Sequence, residues 1–170
     1  MKKSREDGFI EFAGGLTGHL FRSACLLTSG DTYLAEDLVQ ETLGRIYLKW
    51  GRISQADNPA AYAQTVLVRT FLTYRRRRSS NERPVGELPD TPVITGGDPL
   101  LRLALLHALG QLPPKDRAVV VLRYWEDRSI EETADAMNIS SSAVRTRASR
   151  ALARLRAQLG GSLAELTVAT

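Results

Sequence analysis

This 170-residue chain is poor in soft ligands, with one cysteine, two histidines and two methionines. A single cysteine, Cys25, excludes an intrachain disulfide. Together with His19 and His107 it also leaves too few ligands for a zinc site built from Cys and His. Cys25 sits in the apolar run Ala24-Cys25-Leu26-Leu27, which points to a buried core thiol rather than a redox sensor. No apolar run approaches the roughly 20 residues of a spanning helix, and no signal-peptide pattern opens the chain. The expectation is a cytoplasmic protein. A Gly-rich phosphate loop, HExxH and GxSxG are all missing, and no nucleophile pairs with either histidine. Neither an enzyme nor a cofactor is therefore expected, and the histidines belong at helix surfaces or domain edges.

What is present is helix and arginine. Hydrophobic residues make up 43% and charged residues 25%, with a net charge of +4, which fits a globular protein. The charge is unevenly spread: Arg75, Arg76, Arg77 and Arg78 form one basic block, and the arginines after Ser140 form another. Two blocks suggest two contacts with polyanion. Strand signals are nearly absent. Apolar periodicity predicts helices at 6–28, 31–50, 59–78, 99–111, 114–126, 129–137 and 141–158. Between them, 79–98 holds three prolines, three glycines and little periodicity, as an extended linker does. The expected fold is all-α, with two small helical domains at 1–78 and 99–159, a linker at 79–98 and a tail at 160–170.

The segment from Ser129 to Leu159 reads as two helices joined by a tight polar turn. Ile130, Ala134 and Met137 repeat at helical spacing, Asn138 interrupts, and Ser140 or Ser141 can cap the next helix. On that helix Val144, Ala148, Ala151 and Leu155 share one face, with Leu152 at its edge. Ser142, Arg145, Thr146, Ser149 and Arg150 point roughly the opposite way. No acid occurs between Asp135 and Glu165, while Arg145, Arg147, Arg150, Arg154 and Arg156 all do. Short hydroxyls and guanidiniums at the start of an outward helix suit major-groove base edges and phosphates. A solvated helix in a bundle is the alternative, but mixed charges would then be expected. A DNA-binding helix-turn-helix is predicted.

Within 31–50, Val39, Leu43, Ile46 and Trp50 share an inward face. Asp37, Gln40, Glu41, Gly44 and Leu48 lie opposite, flanked by Leu38. Such an acidic and amide surface with exposed leucines fits a basic helical partner, but periodicity alone fits an ordinary amphipathic helix better. The next helix opens with Asn58-Pro59, a cap and first-turn pair. Tyr62, Val66, Arg69 and Thr73 lie near one of its faces, and it ends in the four arginines. Those arginines suit nucleic acid; Tyr62 fits either a DNA contact or the core.

Taken in order, AEDLVQETLGRIYLKW, NPAAYAQTVLVRTFLTYRRRR and LPPKDRAVVVLRYWEDRSIEETADAMNISSSAVRTRASRAL resemble ECF (extracytoplasmic function, group 4) RNA polymerase sigma factors. The phrasing is most similar to the SigE-type branch of the sigma-70 family, over residues 5–158. The resemblance implies that region 2 binds the β′ clamp helices of core polymerase and melts the −10 element. It implies that region 4 binds the β flap and reads the −35 element. By position, Asp37, Leu38, Gln40, Glu41 and Leu48 become core-binding residues, which makes the docking face the preferred alternative. The loop 52–58 becomes the part that captures a flipped −10 base. Arg52, Asn58, Tyr62, Arg69 and Arg75 to Arg78 are the −10 candidates. Ser141, Ser142, Arg145, Thr146, Arg147, Ser149 and Arg150 are the −35 candidates. An anti-sigma factor is a further partner that the family implies. The chain departs from the pattern at Arg69 and Thr73, where many relatives carry Asn and Asp. The linker also lacks dense acid, although Glu82, Glu87, Asp90 and Asp98 remain.

Two other expectations compete with a promoter-specificity subunit. One is a polymerase-independent helix-turn-helix repressor or activator, which would bind an operator alone, usually as a dimer. The other is a nucleic-acid enzyme with a helix-turn-helix appendage, which the missing catalytic groups disfavour.

Overall fold

The computed structural model describes residues 4–79 and 98–160, and these are all-α, without a strand among them. Helix α1 (Arg5–Leu27) starts at Ser4, whose hydroxyl accepts from the Asp7 amide at 3.1 Å. It ends in a tight turn where Ser29 and Gly30 take positive φ. Asp31 then caps α2 (Thr32–Leu48), accepting from the Leu34 amide. The helix expected over 31–50 breaks at Lys49 and restarts as the short α3 (Trp50–Ile53). The break lets Trp50 turn inward against Phe9 and Phe12, with ring centroids 5.7 and 4.8 Å away. Asn58 caps α4 (Pro59–Ser79), accepting from the Ala61 amide at 3.0 Å. Ala63, Leu67, Val68 and Phe71 form its buried stripe.

In the second half, Asp98 caps α5 (Pro99–Gln111), and Pro113-Pro114 separates it from α6 (Pro114–Val120). The helix expected to run on to 126 instead ends at Val120 and widens into a π turn, Val121–Trp125. Three consecutive valines, Val119 to Val121, crowd the normal turn, and the widened turn delivers Trp125 and Glu126 to α1. A capping box of Ser129 and Glu132 opens α7 (Ile130–Met137). Asn138 closes it in the left-handed conformation, and Ser140 caps α8 (Ser141–Leu159). The predicted α8 stripe is in place: Val144, Ala148, Ala151 and Leu155 are buried and Leu152 sits at the edge. Most of the expected linker and tail lie outside the described residues.

The two halves pack on each other, and one apolar cluster runs from α1, α2 and α4 into α5, α6 and α8. Polar contacts stitch the seam. Buried Arg117 donates to the carbonyls of Leu27, Leu109, Gly110 and Leu112 at 2.6, 2.8, 3.2 and 3.1 Å. Arg128 donates to Ala61, Gln64 and Thr65 on α4. Trp125 donates to the Ser23 hydroxyl, and Glu126 bonds both Ser23 and His19 on α1. His19 thus stands at the edge between the halves.

Candidate nucleic-acid and docking surfaces

The outward face of α8 follows from what anchors its inward one. Ser142, Arg145, Thr146 and Ser149 are exposed, and the Thr146 hydroxyl folds back on the Ser142 carbonyl. Arg147 and Arg150 have a second duty. Both grip Asp116 on α6: Arg147 Nη1 lies 2.7 Å from one carboxylate oxygen, and Arg150 binds both oxygens at 3.0 Å. Asp116 is 0% exposed. Burial alone would raise its pKa, but hydrogen bonds from Arg150 and Arg147, reinforced by their charge, hold it below the ordinary value. The pair therefore sets the angle of α8 on α6, leaving Arg145 as the exposed arginine of the first two turns without that duty.

A depressed carboxylate contributes stability only while ionised. The Asp116 contribution is fully present above the unfolded value of about 3.9 and is lost as pH falls through its lower folded value. Asp116→Ala should lower stability by about 2–3 kcal/mol, below the range for a fully buried pair because both arginines reach solvent. The corresponding loss in melting temperature is about 4–12 °C. Thermal melts at pH 7 and pH 2.5 check this: the gap between wild type and variant should shrink in acid, and an unchanged gap would contradict it.

On α2 the candidates Asp37, Gln40, Glu41 and Leu48 are all exposed, the last 77%. Glu41 also pairs with Arg45 one turn on, at 2.7 Å. Leu38 does not belong with them. It is 2% exposed, because the buried stripe is Ala35, Leu38, Val39, Thr42 and Ile46, rotated from the one expected. That stripe faces α1 and α4 together, so it is wider than Val39, Leu43 and Ile46 suggest, and Leu38 serves the core. Periodicity missed Tyr47, 45% exposed beside Leu48, whose ring meets Phe9 edge-on at 5.0 Å.

The −10 candidates divide. Arg52 is exposed on α3, and buried Ile53 anchors an otherwise exposed loop up to Asn58. Asn58 spends its side chain as the α4 cap. Tyr62 is 39% exposed, which leaves its ring accessible. Arg69 is exposed but donates to the carbonyls of Asp135 and Ala136 on α7. Arg75, Arg76 and Arg77 are exposed, and Arg78 lies over the Tyr74 ring. Cys25 is buried, and burial, with Glu36 and Asp31 nearby, pushes its thiol up to about 11. Among the described residues no group of His, Cys, Asp and Glu could hold a metal ion.

A family model for Sigma-70 region 2 matches residues 16–81, and one for Sigma-70, region 4 matches 102–155. The RNA polymerase sigma-E factor of Streptomyces coelicolor is 38% identical over 152 residues, covering 89% of this chain and 85% of that protein. The chain belongs to the sigma-70 family as an ECF-type RNA polymerase sigma factor. The ECF sigma factor SigG of Mycobacterium tuberculosis is 30% identical, over 77% of this chain and 43% of the relative. Among solved structures, the sigma factor RpoE of Bartonella quintana, in complex with the anti-sigma factor NepR, superposes with a TM-score of 0.75 at 25% identity. That match covers 89% of this chain and 96% of RpoE. Region 2 in this sigma factor carries the α2 face and the α4 arginines, and region 4 carries α7 and α8. A polymerase-independent repressor, the competing expectation, finds no support in these similarities.

Proposed function

We propose that this sigma factor docks on the β′ clamp helices of core polymerase through Asp37, Gln40, Glu41 and Leu48. Region 2 spans 1–78 and region 4 spans 99–159, with 79–98 as the linker and 160–170 as a tail. Arg52, Tyr62 and the arginines from Arg75 to Arg78 engage the −10 element, where Asn58 shapes the loop that takes the flipped base. Region 4 sits on the β flap and reads the −35 element with Ser142, Arg145, Thr146 and Ser149. Arg147 and Arg150, which hold α8 on Asp116, and Ser141 beside the cap reach phosphate from its flank. The chain acts in the cytoplasm by binding, with no catalysis of its own, and an anti-sigma factor is among the partners this role admits. No described helix is long and apolar enough to cross a membrane.

One observation carries the proposal: exposed carboxylates beside Leu48 on α2 and exposed hydroxyls beside Arg145 on α8 coexist in one chain on separate surfaces. A repressor needs only the second. Transcription by purified chain plus core polymerase on candidate promoters tests it directly, and no promoter-specific transcript on any of them would end it.

Two variants separate the surfaces. Asp37→Arg with Glu41→Arg should weaken core binding at least tenfold with helicity unchanged, since exposed charge changes usually cost little stability. Wild-type capture of core in a pull-down would contradict that. Arg145→Ala should cost about 1–3 kcal/mol of promoter binding, relaxing one −35 position if Arg145 reads a base and weakening all promoters alike if it grips phosphate. Unaltered transcription from every promoter would remove Arg145 from the interface.

A further inference from the structure

Asp116, in the first turn of α6, is fully buried, yet both its oxygens serve α8. Oδ1 accepts from Arg147 Nη1 at 2.7 Å and from Arg150 Nη2 at 3.0 Å, and Oδ2 accepts from Arg150 Nε at 3.0 Å. The two arginine side chains remain partly exposed above it. Two positive charges against one negative leave the trio at a net +1. Arg147 is held through one nitrogen and Arg150 through two, so each guanidinium keeps N–H groups for a phosphate.

We propose that Asp116 is a specificity-determining residue: it suppresses sequence-independent DNA binding by withholding one charge from the flank of α8, while fixing the direction of both guanidiniums. The inference rests on α8 being the DNA-reading helix. Affinity for DNA of any sequence grows with the number of phosphates neutralised. Unrestrained cations at Arg147 and Arg150 would raise it for every site alike, because a phosphate contact carries no sequence information. A held guanidinium instead offers its N–H groups in one geometry. That geometry meets a phosphate best when Ser142, Arg145, Thr146 and Ser149 are in register with the bases.

The ratio of specific to non-specific affinity matters more to a promoter reader than either affinity alone, since non-specific sites vastly outnumber promoters. The sign of the effect separates this role from a structural one. A carboxylate that only fastened α8 to α6 would weaken all DNA binding when removed. A carboxylate that restrains the flank charge would strengthen binding to the wrong sequences.

Titration of the full chain with a random duplex at roughly 50 to 200 mM salt tests this. Asp116→Asn keeps the shape and removes the charge. It should bind the random duplex about three- to tenfold tighter at about 0.1 M salt, with a slope of log affinity on log salt steeper by about 0.9. Adding Arg150→Gln removes the released cation and should return the slope to the wild-type value. Asp7→Asn, an exposed change at the start of α1, should move the slope by less than about 0.3. With core polymerase, Asp116→Asn should lower the ratio of transcription from an intact −35 element to that from a scrambled one about threefold or more. Asp116→Ala repeats both measurements with a neutral side chain that accepts no hydrogen bond, and circular dichroism establishes that each variant folds. Arg145→Ala separates the two readings. If it leaves the −35 ratio untouched, α8 is not the reading helix and both fall. If it lowers the ratio while Asp116→Asn weakens random-duplex binding or leaves the slope unchanged, this inference alone falls. A steeper slope that Arg150→Gln does not reverse, or that Asp7→Asn matches, would overturn it as well.

Discussion

Arg117→Ala should lower the melting temperature by about 10–20 °C, the largest effect expected of any single substitution in this sigma factor. The Arg117 side chain satisfies four carbonyl oxygens: Leu27 at the end of α1, Leu109 and Gly110 in the last turn of α5, and Leu112 beyond it. These are groups that a helix C-terminus leaves unpaired, and here one guanidinium serves two helices from opposite halves. Alanine would strand them in a buried seam at about 1–3 kcal/mol each. Water reaches part of the vacated space, so a total near 4–6 kcal/mol is reasonable, against a whole stability of about 5–15 kcal/mol. For a chain of this length each kcal/mol is worth about 2–4 °C. Arg117→Lys should recover only part of the loss, because an ammonium on a flexible stem cannot reproduce the planar fork. A melt within 3 °C of wild type for the alanine variant would show that the four bonds contribute little.

The second large effect concerns DNA. The free sigma factor should bind duplex promoter DNA weakly and without specificity, and core polymerase should turn this into specific binding with opening near the −10 element. Two causes act together. Residues 79–98, the proposed linker, have no helical period in the sequence that would hold the two proposed reading surfaces in promoter register. In the free chain α4 also packs on α7, with Arg69 committed to α7 carbonyls. Core would grip each half separately and remove much of the ordering cost. If the contacts of the free chain are Arg75 to Arg78 on four phosphates, its affinity should fall roughly 100-fold between 50 and 200 mM salt. Gel shifts across that range, and permanganate footprinting with and without core, measure both halves of the expectation. Tight, sequence-specific binding by the chain alone at 0.15 M salt would defeat it and favour the repressor.

Local chemistry was legible from residues alone. A serine at 140 or 141 capping α8 (it is Ser140), Asn138 ending α7, Asn58-Pro59 starting α4 and the Val144–Leu155 stripe all depend on neighbours within a few positions. Periodicity and capping report such neighbours directly. The all-α class and the family resemblance came from the same source, extended over most of the chain. Where periodicity failed, a second packing partner had intervened. Leu38 turned inward because α2 is covered by α1 and α4 at once, and the break at Lys49 follows from the aromatic pocket that receives Trp50.

The seam between the halves had no signal of this kind. Asp116 and Arg117 stand side by side just before the apolar run Ala118–Leu122 and are both buried, yet one pairs with α8 and the other caps α1 and α5. Arg128, Trp125 and Glu126 likewise meet partners more than 60 residues away. Sequence by itself determined the all-α class, most helices, the caps at Asn58 and at Ser140 or Ser141, the basic blocks and the outward face of α8, because each is set by contacts within a turn or two. Only the tertiary structure decided which arginines are spent on carbonyls and Asp116 and which still face solvent. Those partners come from distant helices, and a charge finds them only after the apolar faces have packed.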